Sequence, residues 1–185
     1  MRAGKQAALH TLFLRHHDSL FRYGLAICAD KPVIEDCLQD LFFQLWKTHA
    51  DLSEVRKVKG YLWISFRRLL IKRMAKKPGT GGRSSQLRPV MKKASSIERK
   101  LIREEIKADT LKALDTALQE LTQREREVLF LKYYDGMSYS EIGQILNIEY
   151  QTARNYMHRA ISRLRDVLLQ RGTNIPLIIF ALLVL

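Results

Sequence analysis

The chain has 185 residues, and its 32 lysine and arginine residues against 19 acidic residues give a formal net charge of +13 at neutral pH. A charge of this size favours a polyanionic partner, either nucleic acid or an anionic membrane surface. Two cysteines, Cys28 and Cys37, do not make a disulfide scaffold and indicate core thiols in a reducing compartment. The basic start, residues 1–6, is not followed by a sustained apolar run, so we expect no secretory signal and a cytoplasmic protein.

Residues 7–77 carry apolar and aromatic side chains at helical spacing, which predicts a first helical domain. One helix of this domain follows Pro32, a residue suited to a first helical turn. Its apolar stripe consists of Ile34, Cys37, Leu38, Leu41, Phe42, Leu45 and Trp46. Its opposite face carries Asp36, Gln39, Asp40 and Phe43. An acidic patch on so basic a protein is not expected to face DNA, so it is either solvated or contacts a protein partner.

The next predicted helix, residues 60–77, mixes aromatic and cationic side chains. These are Tyr61, Trp63, Phe66, Arg67, Arg68, Lys72, Arg73, Lys76 and Lys77. Basic residues neutralise phosphates and aromatic rings stack on unpaired bases, so the mixture favours single-stranded or melting DNA over a plain duplex. We expect Phe66 in the core, whereas Trp63 fits either the core or a stacking role.

Residues 78–95 are basic and rich in glycine, proline and serine, which predicts a flexible linker. A second helical domain is predicted over residues 96–172. Capping boxes, in which a Ser or Thr side chain and a Glu three positions later satisfy each other's backbone N–H groups, fall at Ser95–Glu98 and Thr122–Glu125. The helix after the second box is predicted to stop at Asp135–Gly136.

A further capping box, formed by Ser138 and Glu141, opens a short predicted helix. Its buried stripe is predicted to be Ile142, Ile145 and Leu146. Gly143 in mid-helix costs about 1 kcal/mol relative to alanine, so we predict a close helix crossing that requires a small residue there. Asn147 is placed where the chain must turn, and asparagine tolerates the left-handed conformation.

The helix after that turn has two distinct faces. Ala153, Met157, Ala160, Ile161, Leu164 and Leu168 form an apolar side, and Gln151, Arg154, Asn155, His158, Ser162 and Arg165 a polar side. Two helices joined by a tight turn are typical of a helix-turn-helix, whose second helix lies in the major groove. Arg can bond guanine and Asn or Gln can bond adenine in two places. From periodicity alone, an ordinary solvated helix face fits as well.

Nothing in the sequence predicts catalysis, and we expect no enzyme activity, no cofactor and no small-molecule substrate. Residues Pro78–Gly82 are glycine-rich but lack the Gly-Lys-Ser/Thr of a phosphate-binding loop, and no strand precedes them. His16, His17 and Asp18 have metal-ligating side chains, but no matching Cys/His cluster lies elsewhere, so we expect no bound metal.

Three stretches together resemble the extracytoplasmic-function (ECF) class of bacterial RNA polymerase sigma factors. Ile34–Trp46 resembles the core-binding helix of sigma region 2, and Tyr61–Arg73 resembles the helix that melts and grips the −10 element. Leu114–Leu168 resembles region 4, including its Ser-Tyr-x-Glu-Ile helix. The run YQTARNYMHRAI, residues 150–161, looks most like versions from Bacteroidetes.

The resemblance implies an all-α protein with two small helical domains, a region 2 bundle and a region 4 helix-turn-helix, joined by the flexible linker. It implies a sigma factor that binds core RNA polymerase and directs promoter-specific transcription initiation by recognising −10 and −35 elements. The implied partners are core RNA polymerase, promoter DNA and a membrane-linked anti-sigma factor. The polymerase would be bound by Asp36, Gln39, Asp40 and Phe43, the −10 element by Lys59, Trp63, Arg67, Arg68, Lys72 and Arg73, and the −35 element by Gln151, Thr152, Arg154, Asn155, His158 and Arg159.

Two departures from the family pattern leave the −10 base preference open, because the family often has Asn where Arg68 stands and Asp where Lys72 stands.

One alternative to a sigma factor is a helix-turn-helix regulator that acts without being a polymerase subunit, but the first domain is too short and helical for a receiver sheet. The other is a membrane-associated protein, suggested by the apolar tail, residues 173–185, to which we assign no role. Its apolar run, Ile175–Leu185, is too short for a bilayer span, which takes about 20 residues.

Overall fold

The computed structural model describes residues 6–49, 57–76 and 108–170, and every regular element in these ranges is helical. The first domain consists of α1 (Gln6–Ile27), α2 (Lys31–Lys47) and α3 (Val58–Lys76). The second consists of α4 (Ala108–Gln119), α5 (Gln123–Leu129), a π-helical turn (Phe130–Tyr134), α6 (Tyr139–Leu146) and α7 (Tyr150–Gln170). The all-α, two-domain prediction is confirmed. The predicted linker, the capping box at Ser95–Glu98 and the tail lie outside the described residues.

The first domain is a three-helix unit built around the apolar stripe of α2. The Asp30 side chain accepts a hydrogen bond from the Val33 backbone N–H at 3.3 Å and caps α2, with Pro32 in the first turn. The stripe buries Val33, Ile34, Cys37, Leu38, Leu41, Phe42 and Leu45. Opposite it lie Leu20 and Tyr23 of α1 and Leu62, Phe66 and Leu70 of α3. Phe66 is fully buried, which confirms its predicted place in the core.

The second domain follows its local signals closely. The capping boxes of Thr122 with Glu125 and of Ser138 with Glu141 are both present. Asn147 ends α6 in the left-handed conformation at φ 54° and ψ 56°, so the chain turns sharply into α7. The capped start of α6 and this turn give a helix-turn-helix whose two helices pack directly on each other.

Gly143 owes its place to the turn rather than to a helix crossing, so that part of the prediction is wrong. A Cβ atom at Gly143 would lie 2.7 Å from the carbonyl oxygen of Ile148. The Ile148 N–H donates to the Gly143 carbonyl at 2.9 Å, which folds the turn back over α6. The close neighbour is therefore backbone of the turn, which has little room to move.

The two domains pack against each other. Helices α1 and α3 lie on α5, the π-turn and α6, and the buried side chains of both domains form one continuous cluster. The Tyr23 ring lies 5.9 Å from the Phe130 ring, and the Arg22 guanidinium lies 5.1 Å over the Tyr134 ring. This packing brings the predicted −10 helix against the second domain. None of the helices in the described ranges is long and apolar enough to cross a membrane.

Candidate nucleic-acid interface

Helix α7 buries one narrow stripe and exposes a broad polar face. Ala153, Met157, Ala160, Leu164 and Leu168 are buried against α4, α5 and α6. Of the six residues predicted to read the −35 element, Gln151, Arg154, Asn155, His158 and Arg159 are exposed and Thr152 is half-buried. The arrangement leaves a row of hydrogen-bonding side chains free along the first half of the helix.

Ile161 does not belong to the buried stripe of α7, contrary to the prediction. It is 44% exposed. Met157, Ala160 and Leu164 already occupy the inward positions of this stretch, so Ile161 lies at the edge of the stripe beside the polar face.

One ion pair ties α7 to α5, and local polar contacts stabilise α6 and α7 themselves. Arg163 lies 3.1 Å from the Glu125 carboxylate, which is itself buried at the start of α5. On α6, the backbone and side chain of Ser138 bond to Glu141 and lower the pKa of that carboxyl. The Arg159 guanidinium lies 5.6 Å from the centre of the Tyr156 ring. The Arg163–Glu125 pair ties α7 to α5, and the α6 and α7 helices pack on each other, so the helix-turn-helix is formed before any DNA is present, which favours recognition with little reordering.

The predicted polymerase patch lies on the outer face of α2. Asp36, Gln39 and Phe43 are exposed, and Phe43 shows 66% of its surface although it is a large apolar residue. Asp36 and Asp40 are both paired with Arg73 of α3, at 3.4 and 2.9 Å. The structure thus places Arg73, predicted to contact the −10 element, beside the α2 patch, where it offsets part of its negative charge.

Trp63 is buried between the two domains. None of its surface is exposed, and its indole N–H donates to the Asp135 carboxylate at 2.8 Å. The Lys59 ammonium donates to the Asp135 carbonyl at 2.7 Å and lies 5.3 Å over the Trp63 ring. The His16 ring packs nearly perpendicular to Trp63, with 5.8 Å between the ring centres. In this arrangement no base can stack on the indole.

Arg67 is engaged in the same way one turn further along α3. Its Nε donates to the Glu127 carboxylate at 2.6 Å, and the Tyr23 hydroxyl donates to the same oxygen at 3.1 Å. Gln123 donates to the other oxygen at 3.1 Å. Glu127 is fully buried, and four donor contacts from three side chains satisfy its carboxylate. Burial alone would lower the pKa of Arg67, but its hydrogen bonds and charge pairing with Glu127 outweigh burial, so the pKa of Arg67 is raised. The pKa of the Tyr23 hydroxyl is also raised, first by burial and then by the nearby Glu127 charge.

Asp135 carries a strongly perturbed carboxyl group at this interface. Burial raises its pKa to about 6, although Lys59, the Trp63 N–H and Arg22 all act to lower it. Its side chain is only 3% exposed. The carboxylate is therefore held at a cost, which its neighbours offset only in part.

The remaining predicted −10 residues point to solvent. Arg68 and Lys72 are exposed on α3. The sequence marked Asp135 only as a helix stop and did not single out Glu127, although each holds predicted −10 side chains in the structure. Glu127 lies in α5 and Asp135 follows the π-turn. The apolar pattern there indicates only the core of the second domain, so no local signal marks either residue as a partner of α3.

Comparison with known proteins agrees with this architecture. The sigma-70 region 2 family model matches residues 12–78, and the sigma-70 region 4 model matches residues 111–164. These matches together cover more than half of the chain, each on one domain of the fold. The chain belongs to the sigma-70 family of transcription initiation factors, which are not enzymes.

Its relatives define the group more narrowly. The ECF RNA polymerase sigma factor SigL of Mycobacterium tuberculosis is 26% identical over 175 residues, covering 92% of this chain and 94% of that protein. The ECF sigma factor SigM of Bacillus subtilis is 26% identical over 164 residues, covering 88% and 96%. The protein is an ECF sigma factor, which directs promoter-specific transcription initiation.

Two solved structures share the fold. The sigma factor RpoE of Bartonella quintana, in complex with the anti-sigma factor NepR, matches with a TM-score of 0.61 at 20% identity, covering 86% of this chain and 95% of that chain. CnrH, in complex with the cytosolic domain of CnrY, matches with a TM-score of 0.59 at 20% identity, covering 90% and 91%.

Proposed function

We propose that this sigma factor grips its promoter at two points, with α7 in the −35 major groove and α3 on the −10 element. The −35 contacts are assigned to Gln151, Thr152, Arg154, Asn155, His158 and Arg159, and the −10 contacts to Lys59, Trp63, Arg67, Arg68 and Lys72. Arg73, which the sequence also predicted at the −10 element, is instead assigned to the α2 patch, because it pairs with Asp36 and Asp40. The observation that carries the proposal is the polar face of α7, exposed along its first half while the opposite stripe is buried. An exposed Arg and Asn on such a helix can each bond a base edge in two places.

The partner of the α2 patch is core RNA polymerase. Support comes from Phe43, an exposed aromatic ring flanked by Asp36, Gln39 and Asp40. An exposed aromatic side chain beside polar groups is suited to act as a protein-binding hot spot. Arg73 orients the two carboxylates, so the patch is ordered before binding.

A membrane-linked anti-sigma factor is the second proposed protein partner. The two structures similar in fold contain CnrH with the cytosolic domain of CnrY and RpoE with the anti-sigma factor NepR. We place the protein in the cytoplasm, where it meets polymerase and DNA. Residues 150–161 support an origin in the Bacteroidetes, which predicts better initiation with polymerase from that phylum than with polymerase from other bacteria.

The experiment that tests the polymerase assignment compares two exposed apolar residues. Phe43→Ala should lower the affinity for core polymerase by about tenfold or more, as expected for a hot-spot aromatic residue. Leu169→Ala is the matched control, since Leu169 is 57% exposed on the second domain and outside the patch. Binding to immobilised core polymerase and run-off transcription are the two readouts. If both variants bind core polymerase equally well, the α2 face is an ordinary solvated surface and not the polymerase-binding site.

A further inference from the structure

One exposed row of side chains runs along the whole of α7 and carries predicted reading residues in its first half. Its members are alternately four and three positions apart, a spacing that keeps them on one side of a helix. The row consists of Gln151, Asn155, His158, Ser162, Arg165 and Leu169, all of them exposed. Leu169 follows Gln151 by 18 positions, which is about five helical turns, so it faces the same side about 27 Å further along.

Leu169 is the one apolar member of this row, and 57% of its surface is exposed. A single exposed leucine would need no explanation. A few positions further along the chain, however, lies the apolar run Ile175–Leu185, 11 residues without a charged side chain. Leu169 therefore extends a much larger apolar segment, and it does so on the side of α7 that carries the polar row.

The second half of α7 is basic around this apolar end. The whole helix carries four arginines and one aspartate, with no lysine or glutamate. Arg159 and Arg165 are exposed, and Arg165 lies one turn before Leu169 in the same row. Peripheral proteins that bind an anionic membrane combine two such signals, an apolar segment that enters the lipid and basic side chains attracted to the headgroups.

The length of the apolar run favours contact with a membrane surface. Its 11 residues are too few to cross a bilayer, which takes about 20, but they suffice to enter the boundary between headgroups and acyl chains. Lipid phosphates accept charge-assisted hydrogen bonds from arginine, as DNA phosphates do. An anionic membrane therefore suits both the apolar run and the arginines, whereas an apolar protein groove would suit only the run.

We propose that α7 and the apolar tail form a docking surface for an anionic membrane. Leu169 and residues 175–185 enter the lipid boundary. The guanidinium groups of Arg159 and Arg165 contact the headgroup phosphates. The row of α7 then faces the lipid, so the helix cannot lie in a DNA groove at the same time. Docking is independent of the proposed −35 role of α7, and only this exclusion of DNA rests on it.

The first measurement is flotation of the full chain with vesicles of phosphatidylglycerol and phosphatidylcholine, or of phosphatidylcholine alone. The anionic vesicles should bind at least about tenfold more tightly, because each basic residue near an anionic surface adds attraction. Truncation after Gly172 removes no charged residue and leaves every described helix intact. It should nevertheless weaken binding to the anionic vesicles by about tenfold or more, because the apolar burial is lost.

Two exposed leucines provide a matched pair of variants for the same assay. Leu169 is 57% exposed on α7, and Leu14 is 65% exposed on α1. Leu169→Ser should weaken binding to the anionic vesicles by about tenfold, because a leucine side chain no longer enters the lipid. Leu14→Ser should stay within about twofold of the parent, because Leu14 lies outside the docking surface and gains no burial there.

The second measurement reports which side of α7 meets the lipid. A polarity-sensitive dye is attached to Ser162→Cys, in the row, or to Lys47→Cys, at the end of α2. Both positions are exposed, and the native Cys28 and Cys37 are buried. Anionic vesicles should shift the emission of the dye at position 162 to shorter wavelength and leave the dye at position 47 unchanged.

Several results would overturn the membrane assignment. They are equal binding to both kinds of vesicle, unchanged binding after truncation, and equal losses for the two leucine variants. Unshifted emission at position 162 on bound vesicles would show that another face docks. A dimer that depends on the tail, seen by light scattering without vesicle binding, would make a second copy the partner instead. No DNA is present in these assays, so their failure leaves the −35 proposal standing, and Arg154→Ala tests that proposal separately.

Discussion

The indole N–H of Trp63 donates to a carboxylate oxygen of Asp135 across 2.8 Å, and this bond joins the predicted −10 helix to the second domain. The acceptor is a carboxyl group whose pKa burial raises to about 6. Near neutral pH this group is charged although its side chain is only 3% exposed. Protonation would remove that cost and leave one oxygen free to accept from Trp63.

The first prediction concerns the pH dependence of folding stability. The folded pKa of Asp135, about 6, exceeds the ordinary value of 3.8. The native state thus binds the proton more tightly, so this contribution is fully present below pH 3.8 and is lost as pH rises through about 6. Asp135→Asn keeps an acceptor for Trp63 without the charge, and should raise the free energy of unfolding near pH 7 by up to about 3 kcal/mol.

Urea unfolding of the parent and Asp135→Asn at several pH values measures this effect. The groups that face Asp135 are Lys59, Trp63 and Arg22, and the His16 ring packs on the Trp63 indole. Burial, with the charges of Arg15 and Lys59, lowers the pKa of His16. The contribution of His16 to folding stability therefore changes with pH in the opposite direction to that of Asp135, and is lost as pH falls. His16 is present in both proteins, so the difference between them isolates Asp135. A difference that does not change between pH 4 and pH 7 would contradict the prediction.

The local architecture could be predicted from the sequence because its signals lie close together in the chain. The boxes at Ser138 and Thr122 and the left-handed Asn147 each depend on residues a few positions apart. The contact between domains joins Tyr23 to Glu127 across 104 positions, and no spacing rule links such residues. Trp63 stayed ambiguous because a core position and a base-stacking position both require an aromatic ring.

The second prediction uses two glycines in helices. Gly143→Ala would gain about 1 kcal/mol of helix propensity, but its Cβ would lie 2.7 Å from the Ile148 carbonyl oxygen, whose backbone belongs to the tight turn. We expect a net loss of about 1–3 kcal/mol, as for other overpacked sites. Gly60→Ala is the control, since no atom lies within 4 Å of its added Cβ, and it should be neutral or stabilising by up to about 1 kcal/mol. Denaturant midpoints of both variants decide; a stabilised Gly143→Ala would show that the turn can shift.

The third prediction separates three basic residues of α3 by their surroundings. Arg68 and Lys72 are exposed, whereas Arg73 is bonded to Asp40 and Asp36. If the first two neutralise phosphates, Arg68→Ala and Lys72→Ala should each reduce the slope of log affinity against log salt by about 0.7 to 1. Arg73→Ala should leave that slope unchanged and instead weaken binding to core polymerase, because it releases the two carboxylates of the α2 patch. Holoenzyme binding to promoter DNA over a range of salt concentrations measures the slopes, and a smaller slope for Arg73→Ala would make it a DNA contact.

The fourth prediction concerns base reading by α7. Arg154 is exposed in the first half of the helix, on the side opposite the buried Ala153–Leu168 stripe. If its guanidinium bonds a guanine in two places, Arg154→Ala should cost about 1–3 kcal/mol on the cognate −35 sequence and relax the preference at one base pair. Arg165→Ala, exposed three turns further along the same helix, should weaken all sequences alike or not at all. Selection from a randomised −35 library, followed by affinity measurements on single-base variants, distinguishes the two. A uniform loss for Arg154→Ala would make Arg154 a phosphate contact and leave base reading to Asn155 and His158, since both share the exposed face with it.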